Sequence, residues 1–299
     1  MSRIVRHPVA MLTGATGFVG SHLARRLVAE GWEVHALVRP SSSLVPLTSV
    51  LDRMTLHTCE PGEDPSAALA RARPEIVFHL ASLFLAAHEA GDIRPLVESN
   101  ITFPLQLVQA MVDNGVYRLV NTGTSWQHYE DRAYSPVCLY AASKQAFETL
   151  LEYFIESTPL RVITLELFDI YGPDDSRGKL FSLLKKARRR KTPLAMSPGE
   201  QFIDPVFIDD VVEAYLTAAG RFKDGEIPGH EHYGISSGNP IRLKDLVGLF
   251  ERLSGSEIPV RWGARPYRPR EVMTPWSKGA SLPGWRPKVS LEQGIRQIL

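Results

Sequence analysis

The sequence predicts an α/β fold in which a doubly wound parallel sheet is joined to a smaller C-terminal α/β lobe. One observation is that apolar runs alternate with amphipathic helical patterns from the N-terminus to about residue 170. A second is a glycine-rich turn, TGATGFVG, directly after the first apolar run. Strands separated by helices form right-handed crossovers, so the sheet is expected to be parallel and covered on both faces, the Rossmann arrangement.

The elements follow one another in a regular order. The predicted strands are HPVAML, EVHALV, RPEIVFHLA, YRLVNTG and LRVITLELF. The predicted helices are GFVGSHLARRLVAEG, ITFPLQLVQAMVDNGV and YAASKQAFETLLEYFIEST, and a polar, helix-like stretch precedes the third strand. After FDIYGPDDSRG the pattern changes to a basic helix and loops rich in Pro and Gly. We predict a dinucleotide-binding domain at 1–170 and a mainly substrate-binding lobe at 171–299, with a strand near 232–237 returning to the sheet.

Composition narrows the class of protein. The 299 residues are 44% hydrophobic, which is enough for a sizeable core, and the net charge of +1 gives no reason to expect nucleic acid or an anionic membrane as a partner. No apolar run of about 18 residues and no signal-peptide core is present, so a cytoplasmic protein is expected. The two cysteines form no CxxC or Cys/His cluster, and no metal is predicted.

The glycine turn predicts a pyrophosphate site. Gly14 would permit the tight turn, Gly17 would let backbone N–H groups approach a phosphate, and Gly20 would allow close packing of helix and strand. The spacing is GxxGxxG rather than the commoner GxGxxG. A purely structural corner is the alternative reading of the turn alone.

The end of the second strand bears on the type of dinucleotide. NAD-binding folds of this class usually carry an acid about 20 residues after the turn, to bind the ribose 2′-hydroxyl. Here Arg39 stands at that place. A guanidinium matches a 2′-phosphate, so NADP(H) is favoured over NAD(H). The alternative is a solvated arginine.

The segment YAASK supplies a candidate acid. Tyr140 and Lys144 are four residues apart on one helical face. We expect the Lys144 ammonium to stabilise the phenolate and so lower the pKa of Tyr140. The preceding strand ends with Thr122, Thr124 and Ser125, whose hydroxyls could donate to a substrate carbonyl. Read alone, the Tyr–Lys spacing also fits an ordinary surface pair.

Several segments together resemble the extended short-chain dehydrogenase/reductases of the NAD-dependent epimerase/dehydratase family. They are TGATGFVG, VFHLAS, VESNITFP, YAASK, FIDPVFIDDVVEAYL and LPGWRPKVSLEQGI. The resemblance implies Ser125, Tyr140 and Lys144 as catalytic residues. With the turn, it implies cofactor-binding residues Thr13, Gly14, Thr16, Gly17, Phe18, Val19, Gly20, Arg39, Leu80, Ala81, Ser82, Asn100, Tyr140 and Lys144. The implied substrate-binding residues are Thr124, Ser125, Trp126, Asp169, Arg268 and Arg270.

The chain departs from the family pattern in two places. Asp169 replaces the usual Asn of the segment near the nicotinamide and sugar. Trp126 and Gln127 stand where the 4,6-dehydratases carry Asp and Glu, and neither side chain is a general acid or base at neutral pH. Water elimination is therefore disfavoured.

The resemblance implies a reaction on a nucleotide-linked sugar. The segments NTGTSWQHYE, LELFDIYGP and MSPGEQFID are most similar to the group of CDP-abequose and CDP-paratose synthases, which reduce a C4 ketone. We therefore predict an NADPH-dependent oxidoreductase acting on a nucleotide-linked 4-keto-(di)deoxyhexose in deoxysugar biosynthesis. The alternatives are an NAD-dependent nucleotide-sugar 4-epimerase and a redox-inactive NADP-binding sensor or scaffold.

Four further expectations concern an interface and additional binding residues. Family likeness predicts a homodimer formed through the helices ITFPLQLVQAMV and KQAFETLLEYF. His128 and Tyr129 are candidates for lining the sugar pocket, and Glu271 for a contact with ribose. The basic run at 185–191 is a candidate for binding pyrophosphate, although such runs are usually solvated helix faces.

Overall fold

The computed structural model describes residues 7–224 and 227–299. In these residues the strands are β1 (Val9–Thr13), β2 (Glu33–Val38), β3 (Met54–Thr58), β4 (Ile76–His79), β5 (Arg118–Thr124), β6 (Arg161–Leu167), β7 (Asp169–Tyr171), β8 (Leu194–Ala195), β9 (Phe202–Ile203), β10 (Pro205–Phe207), β11 (His230–Ile235), β12 (Ile241–Arg242) and β13 (Val260–Arg261). The α-helices are α1 (Phe18–Ala29), α2 (Ser66–Ala72), α3 (Ile93–Val97), α4 (Phe103–Asp113), α5 (Leu139–Ser157), α6 (Leu180–Arg190), α7 (Ile208–Asp224), α8 (Leu243–Ser254) and α9 (Leu291–Ile298).

The main sheet has seven parallel strands in the order β11-β6-β5-β4-β1-β2-β3. The order reverses between β1 and β4, which is the switch point of a doubly wound sheet. Every residue of β1 is buried, as expected for a central strand covered on both faces. The predicted Rossmann α/β fold is confirmed.

Two apolar clusters cover the two faces of the sheet. One contains Leu23 of α1 and Tyr215 of α7, and the other contains Leu69 of α2, Leu107 of α4 and Leu151 of α5. Because all seven strands run the same way, their carboxyl ends meet along one edge. That edge receives the glycine turn after β1 and the loops after β2, β4, β5 and β6.

The second half of the chain contributes one strand to the main sheet and several short pairs beside it. Strand β11 pairs in parallel with β6, with His230 opposite Val162. The outlying pairs are β10 with β7, β12 with β9, and β13 with β8. These pairs bring the segment after residue 194 to the carboxyl edge of the sheet, where it faces the loops after β5 and β6.

The sequence prediction misses one strand of the main sheet. MTLHT forms β3 at the edge, beside β2, and not part of the polar, helix-like stretch predicted before the third strand. An edge strand covered only in part lacks the continuous apolar run that marks the central strands. Among the helices of the described ranges, no segment is both long and apolar enough to cross a bilayer.

Candidate active site

The turn between β1 and α1 requires glycine at two positions. Gly14 has φ +70°, and a Cβ there would lie 2.6 Å from the backbone N of Ala81. A Cβ on Gly20 would lie 2.1 Å from the carbonyl oxygen of Gly14. Gly17 caps α1 without a side-chain hydrogen bond, so the first amides of the helix face outward. Unpaired amides and the helix dipole together form an anion site.

The loop after β4 packs against this turn. The Thr13 hydroxyl hydrogen-bonds the His79 Nδ1 at 2.8 Å and accepts from the Ala81 N–H at 3.2 Å. Burial and the nearby Lys144 charge hold the pKa of His79 well below its usual value, so the ring is neutral. A neutral, buried imidazole fixes the end of β4 beside the turn without adding charge to it. The predicted residues of this loop, which lie next to the turn, are Leu80, Ala81 and Ser82.

The remaining predicted cofactor residues of the turn region differ in exposure. Thr16 is half-buried within the turn, and Phe18 and Val19 form the first turn of α1. Arg39 follows β2 directly and is exposed. In the described part of the chain, no hydrogen bond or ion pair occupies its guanidinium. Thr13 and Leu37 are opposite each other in the sheet, so Arg39 lies at the same edge as the glycine turn.

Tyr140 and Lys144 lie on the buried face of α5, and the structure brings both to this edge. The Tyr140 ring packs edge-on against Phe84 at 4.9 Å, and its hydroxyl hydrogen-bonds Ser82. Burial raises the pKa of Tyr140 to about 12, and Lys144 does not offset it. The expected lowering of the Tyr140 pKa by Lys144 is therefore wrong for this structure. Burial lowers the pKa of Lys144 to about 8.

Asn100 connects the loop after β4 to α5. It lies in one π-helical turn, Glu98–Thr102, and is 1% exposed. Its side-chain oxygen accepts from the Leu83 N–H at 2.8 Å and from the Ser82 hydroxyl, and its amide donates to Ser143 at 2.9 Å. The amide group thus holds the Ser82 loop against the helix that carries Tyr140 and Lys144.

The residues after β5 separate into buried and cleft-facing positions. Thr124 is buried, and its hydroxyl accepts from the Trp126 N–H at 3.3 Å, which caps the turn that follows. Gln127 is fully buried and donates to Gln145 and Glu148. Ser125 and Trp126 line the cleft at the sheet edge. The Thr122 hydroxyl is hydrogen-bonded to the His79 carbonyl and to Tyr215. Of the three predicted hydroxyls, Ser125 is the one that lines the cleft.

Aromatic and charged side chains line the cleft. Its lining includes Ser125, Trp126, His128, Tyr129, Phe168, Asp169, Phe202, Ile203, Arg268, Glu271, Val272, Pro275 and Trp276. Arg268 lies 5.0 Å above the Trp126 ring, and it donates two hydrogen bonds to Glu271 at 3.0 and 2.8 Å. Glu271 is thus paired with Arg268.

The other two predicted substrate residues lie apart from that pair. Asp169 is open to the cleft but enclosed by protein on its other sides, and this partial burial raises its pKa against the opposing charges of Lys179 and Arg268. Arg270 lies 4.3 Å above the Tyr129 ring and donates to Ser135 at 2.7 Å. The basic run at 185–191 ends α6 and is not part of the cleft lining.

Sequence reasoning did not name Trp276, which lines the cleft, or Lys179, which lies outside that lining, near Asp169. Lys179 lies 3.6 Å above the Phe84 ring, next to Tyr140, and Trp276 stacks on His128 at 3.9 Å and on Phe168 at 6.2 Å. Neither residue belongs to a motif. The aromatic C-terminal segment was the available signal for Trp276, because a tryptophan in a loop rich in proline has to pack on another element.

The comparison with known families decides the classification. The model described as "NAD dependent epimerase/dehydratase family" matches residues 10–235. The chain belongs to this family. The family match and the Rossmann sheet therefore agree with the resemblance expected from the sequence.

Individual members of the epimerase/dehydratase family resemble the chain over nearly its whole length. It is 26% identical to a CDP-abequose synthase of Salmonella muenchen, covering 97% of this chain and 96% of the relative. It is also 26% identical to a UDP-glucose 4-epimerase of Mycolicibacterium smegmatis, with the same coverage. The structure of UDP-glucose 4-epimerase from Thermus thermophilus in complex with NAD is 25% identical, with a TM-score of 0.83 over 96% of both chains.

Proposed function

We propose that this family member is an NADPH-dependent reductase of the C4 ketone of a nucleotide-linked 4-keto-(di)deoxyhexose. The two residues after Ser125 are the observation that favours a reductase over a dehydratase. Trp126 lines the cleft as an aromatic surface, and Gln127 is buried and hydrogen-bonded to Glu148. Neither supplies a carboxylate beside Ser125 for removing a proton or losing water.

The residues at the sheet edge fit a nicotinamide dinucleotide. The uncapped amides of α1 would hold the pyrophosphate, and the Gly14 turn keeps side chains out of its approach. Lys144 would hold the nicotinamide ribose, and Arg39 would meet a 2′-phosphate. When bound, the reduced cofactor supplies a hydride to the ketone carbon.

The chain's own residues supply the proton and the charge stabilisation. Because its pKa is about 12, Tyr140 holds its proton at neutral pH and is suited to donate it to the carbonyl oxygen. Ser125 donates a hydrogen bond to the same oxygen, on which negative charge develops in the transition state. Lys144 adds positive charge one helical turn away; burial outweighs this charge in setting the pKa of Tyr140, but a cationic neighbour favours the phenolate left after proton transfer more than a neutral one would.

The substrate assignment combines the cleft with the relatives. Arg268 in the cleft lining and Lys179 near Asp169 are cations that would attract a nucleotide diphosphate. Trp126 and Trp276 give apolar surface suited to the deoxygenated part of the sugar. The relative named CDP-abequose synthase supports a CDP-linked sugar. The relative named UDP-glucose 4-epimerase favours the second candidate, an NAD-dependent 4-epimerase.

The organisation of the chain is part of the proposal. Residues 1–170 would bind the dinucleotide and residues 171–299 mainly the nucleotide sugar, with β11 completing the sheet. A second copy of the chain would pack on α4 and α5, where Leu150 is 43% and Tyr153 is 69% exposed. A helix face with large exposed apolar side chains is typical of a twofold contact.

An assay with candidate substrates tests the reaction. We expect the purified protein to oxidise NADPH, followed by its absorbance, when given an enzymatically generated CDP- or dTDP-4-keto-deoxyhexose. A 4-epimerase would instead interconvert UDP-glucose and UDP-galactose without consuming NADPH. Binding of NADPH without turnover of any of these sugars would contradict the reductase and support a sensor or scaffold.

Substituting Arg39 tests the choice of cofactor. We expect Arg39→Ala to raise the KM for NADPH by about tenfold or more, because a charge-assisted hydrogen bond to phosphate of about 1.5 to 3 kcal/mol is lost. The KM for NADH should stay within about twofold, since NADH has no 2′-phosphate. Equal changes in the KM for NADPH and for NADH, or no change in either, would contradict a role for Arg39 in NADP(H) selection.

A further inference from the structure

A cluster of titratable side chains, all buried except His232, lies behind Lys144, on the side of β5 away from the glycine turn. We call Glu148, Glu166, His128 and His232 the acid–imidazole cluster. Glu148 on α5 is 3% exposed and Glu166 on β6 is 2% exposed. Gly123 leaves the room for them, because a Cβ there would lie 3.1 Å from Glu148 Oε1 and 3.0 Å from Glu166 Cγ.

Each carboxylate of the cluster is held on one oxygen only. Gln127 donates to Glu148 Oε2 at 3.1 Å, and His128 Nε2 lies 3.1 Å from Glu166 Oε1. His232 Nδ1 lies 3.6 Å from Glu166 Oε1 and 3.9 Å from Glu148 Oε2. Glu148 Oε1 and Glu166 Oε2 have no hydrogen-bond partner among the described residues. Two buried carboxylates this close repel each other, so the surrounding charges decide which is ionised.

The groups around Glu148 shift its pKa in opposite directions. Burial and the Glu166 charge raise the pKa of Glu148 to about 7, whereas His232, Gln127 and Lys144 oppose the rise. Burial favours a higher pKa for Glu166, but the hydrogen bond from His128 and the adjacent His232 ring hold its pKa below the usual value. Glu148 is therefore largely ionised at pH 8 and neutral at pH 6.

The charge of Lys144 depends on the ionisation of Glu148. Lys144 lies one helical turn before Glu148 on the same face of α5, and it is 2% exposed. Burial lowers the pKa of Lys144 to about 8, and the Glu148 charge is what opposes this fall. The other titratable groups packed here are Tyr140 on α5, the neutral His79 on β4, whose pKa the Lys144 charge lowers, and the ion pair of Glu152 with His230, joined at 2.8 Å.

We propose that Glu148 is a positioning residue that keeps Lys144 cationic, and that Gln127 and His232 keep Glu148 ionised beside Glu166. The role in catalysis rests on the proposed function, in which Lys144 serves Tyr140. A neutral Lys144 would neither hold a ribose hydroxyl as a cation nor favour the Tyr140 phenolate. The charge of Glu148, one helical turn from Lys144, then sets the alkaline limit of the reaction.

The first experiment measures the charge of Lys144 directly and needs no substrate. In protein carrying lysine labelled with ¹³C at the ε-carbon, the Lys144 signal, assigned from Lys144→Met, is followed against pH. Glu148→Gln should lower its titration by about one pH unit, because the opposite charge one helical turn away on α5 is removed. Glu166→Gln is the matched control from the same cluster and should not lower it. An unmoved Lys144 titration in Glu148→Gln would overturn the proposal.

The second experiment measures kcat/KM against pH with NADPH. The alkaline limb should move to lower pH by about one unit in Glu148→Gln, which is about a tenfold loss well above both limbs. His232→Gln should also move the alkaline limb to lower pH, by a smaller amount. It serves as the test variant if Glu148→Gln does not fold. Glu166→Gln should leave the limb in place or move it to higher pH. An alkaline limb at the wild-type pH in both Glu148→Gln and His232→Gln would overturn the proposed role of Glu148 in the reaction.

Two controls separate this inference from others. A wild-type protein that turns over no nucleotide sugar, but whose Lys144 titration moves in Glu148→Gln, would overturn the proposed function and support the pairing. Glu148, Glu166 and His232 each place one ligand atom within 4.8 Å of the others, as a cation site would. Treatment with EDTA should leave the Lys144 titration unchanged; a changed titration would reveal a bound cation and overturn the proposal.

Discussion

Tyr140→Phe is expected to lower kcat by about 10²- to 10⁴-fold, because general acid catalysis by a positioned side chain contributes that much. The substitution removes one hydroxyl and keeps the ring. The edge-on packing against Phe84 is therefore preserved, and only the hydrogen bond with Ser82 is lost from the apo site. Burial keeps the Tyr140 phenol protonated across the neutral range, so the wild-type side chain has a proton to donate. Phenylalanine has none.

The measurement is NADPH oxidation with the sugar that the wild type reduces, with NADPH affinity measured separately by fluorescence. Tyr129→Phe is the matched control, because Tyr129 also lines the cleft and its ring faces Arg270. We expect that control to keep its kcat within about threefold, since the ring contact with Arg270 remains. Tyr140→Phe with wild-type turnover would remove Tyr140 from the reaction. Loss of NADPH affinity in parallel would indicate a binding role instead.

The main sheet was predictable because its strands carry local signals. The central strands are continuous apolar runs, and the glycine turn marks the first crossover. The short pairs of the second half carry no such signal. β8 and β13 contain two residues each, and Leu194 pairs with Val260 far along the chain. Only the tertiary fold creates these pairs, so no window of sequence contains them.

The same distinction applies to the candidate site. Tyr140 and Lys144 lie one helical turn apart, so their spacing alone predicted a shared face. The pKa of Tyr140 was predicted in the wrong direction, because the sequence shows the neighbouring charge but not the burial that outweighs it. The acid–imidazole cluster was not predictable either. It needs α5, β6, β11 and the segment after β5 side by side, and residues on four separate parts of the chain form no motif.

Gly20→Ala is expected to destabilise the protein by about 3 kcal/mol and to abolish binding of the dinucleotide. The new Cβ would lie 2.1 Å from the Gly14 carbonyl oxygen and 2.9 Å from the Ala15 Cα, and both belong to backbone that a rotamer change cannot move. Relief requires α1 to shift away from the turn. Since the first amides of α1 form the anion site, the same shift displaces them from the pyrophosphate.

Urea unfolding and NADPH titration measure the two effects of Gly20→Ala. Gly220→Ala is the matched control, because Gly220 lies in α7 and a Cβ there would meet nothing within 4 Å. Alanine is favoured over glycine inside a helix by up to about 1 kcal/mol, so this control should be slightly more stable than the wild type and bind NADPH equally well. A Gly20→Ala protein that kept NADPH affinity while losing stability would show that the turn packs the fold without holding the phosphate. The 2.1 Å contact links packing of the fold to phosphate binding. A shift of α1 that relieves the contact also moves the amides that form the anion site.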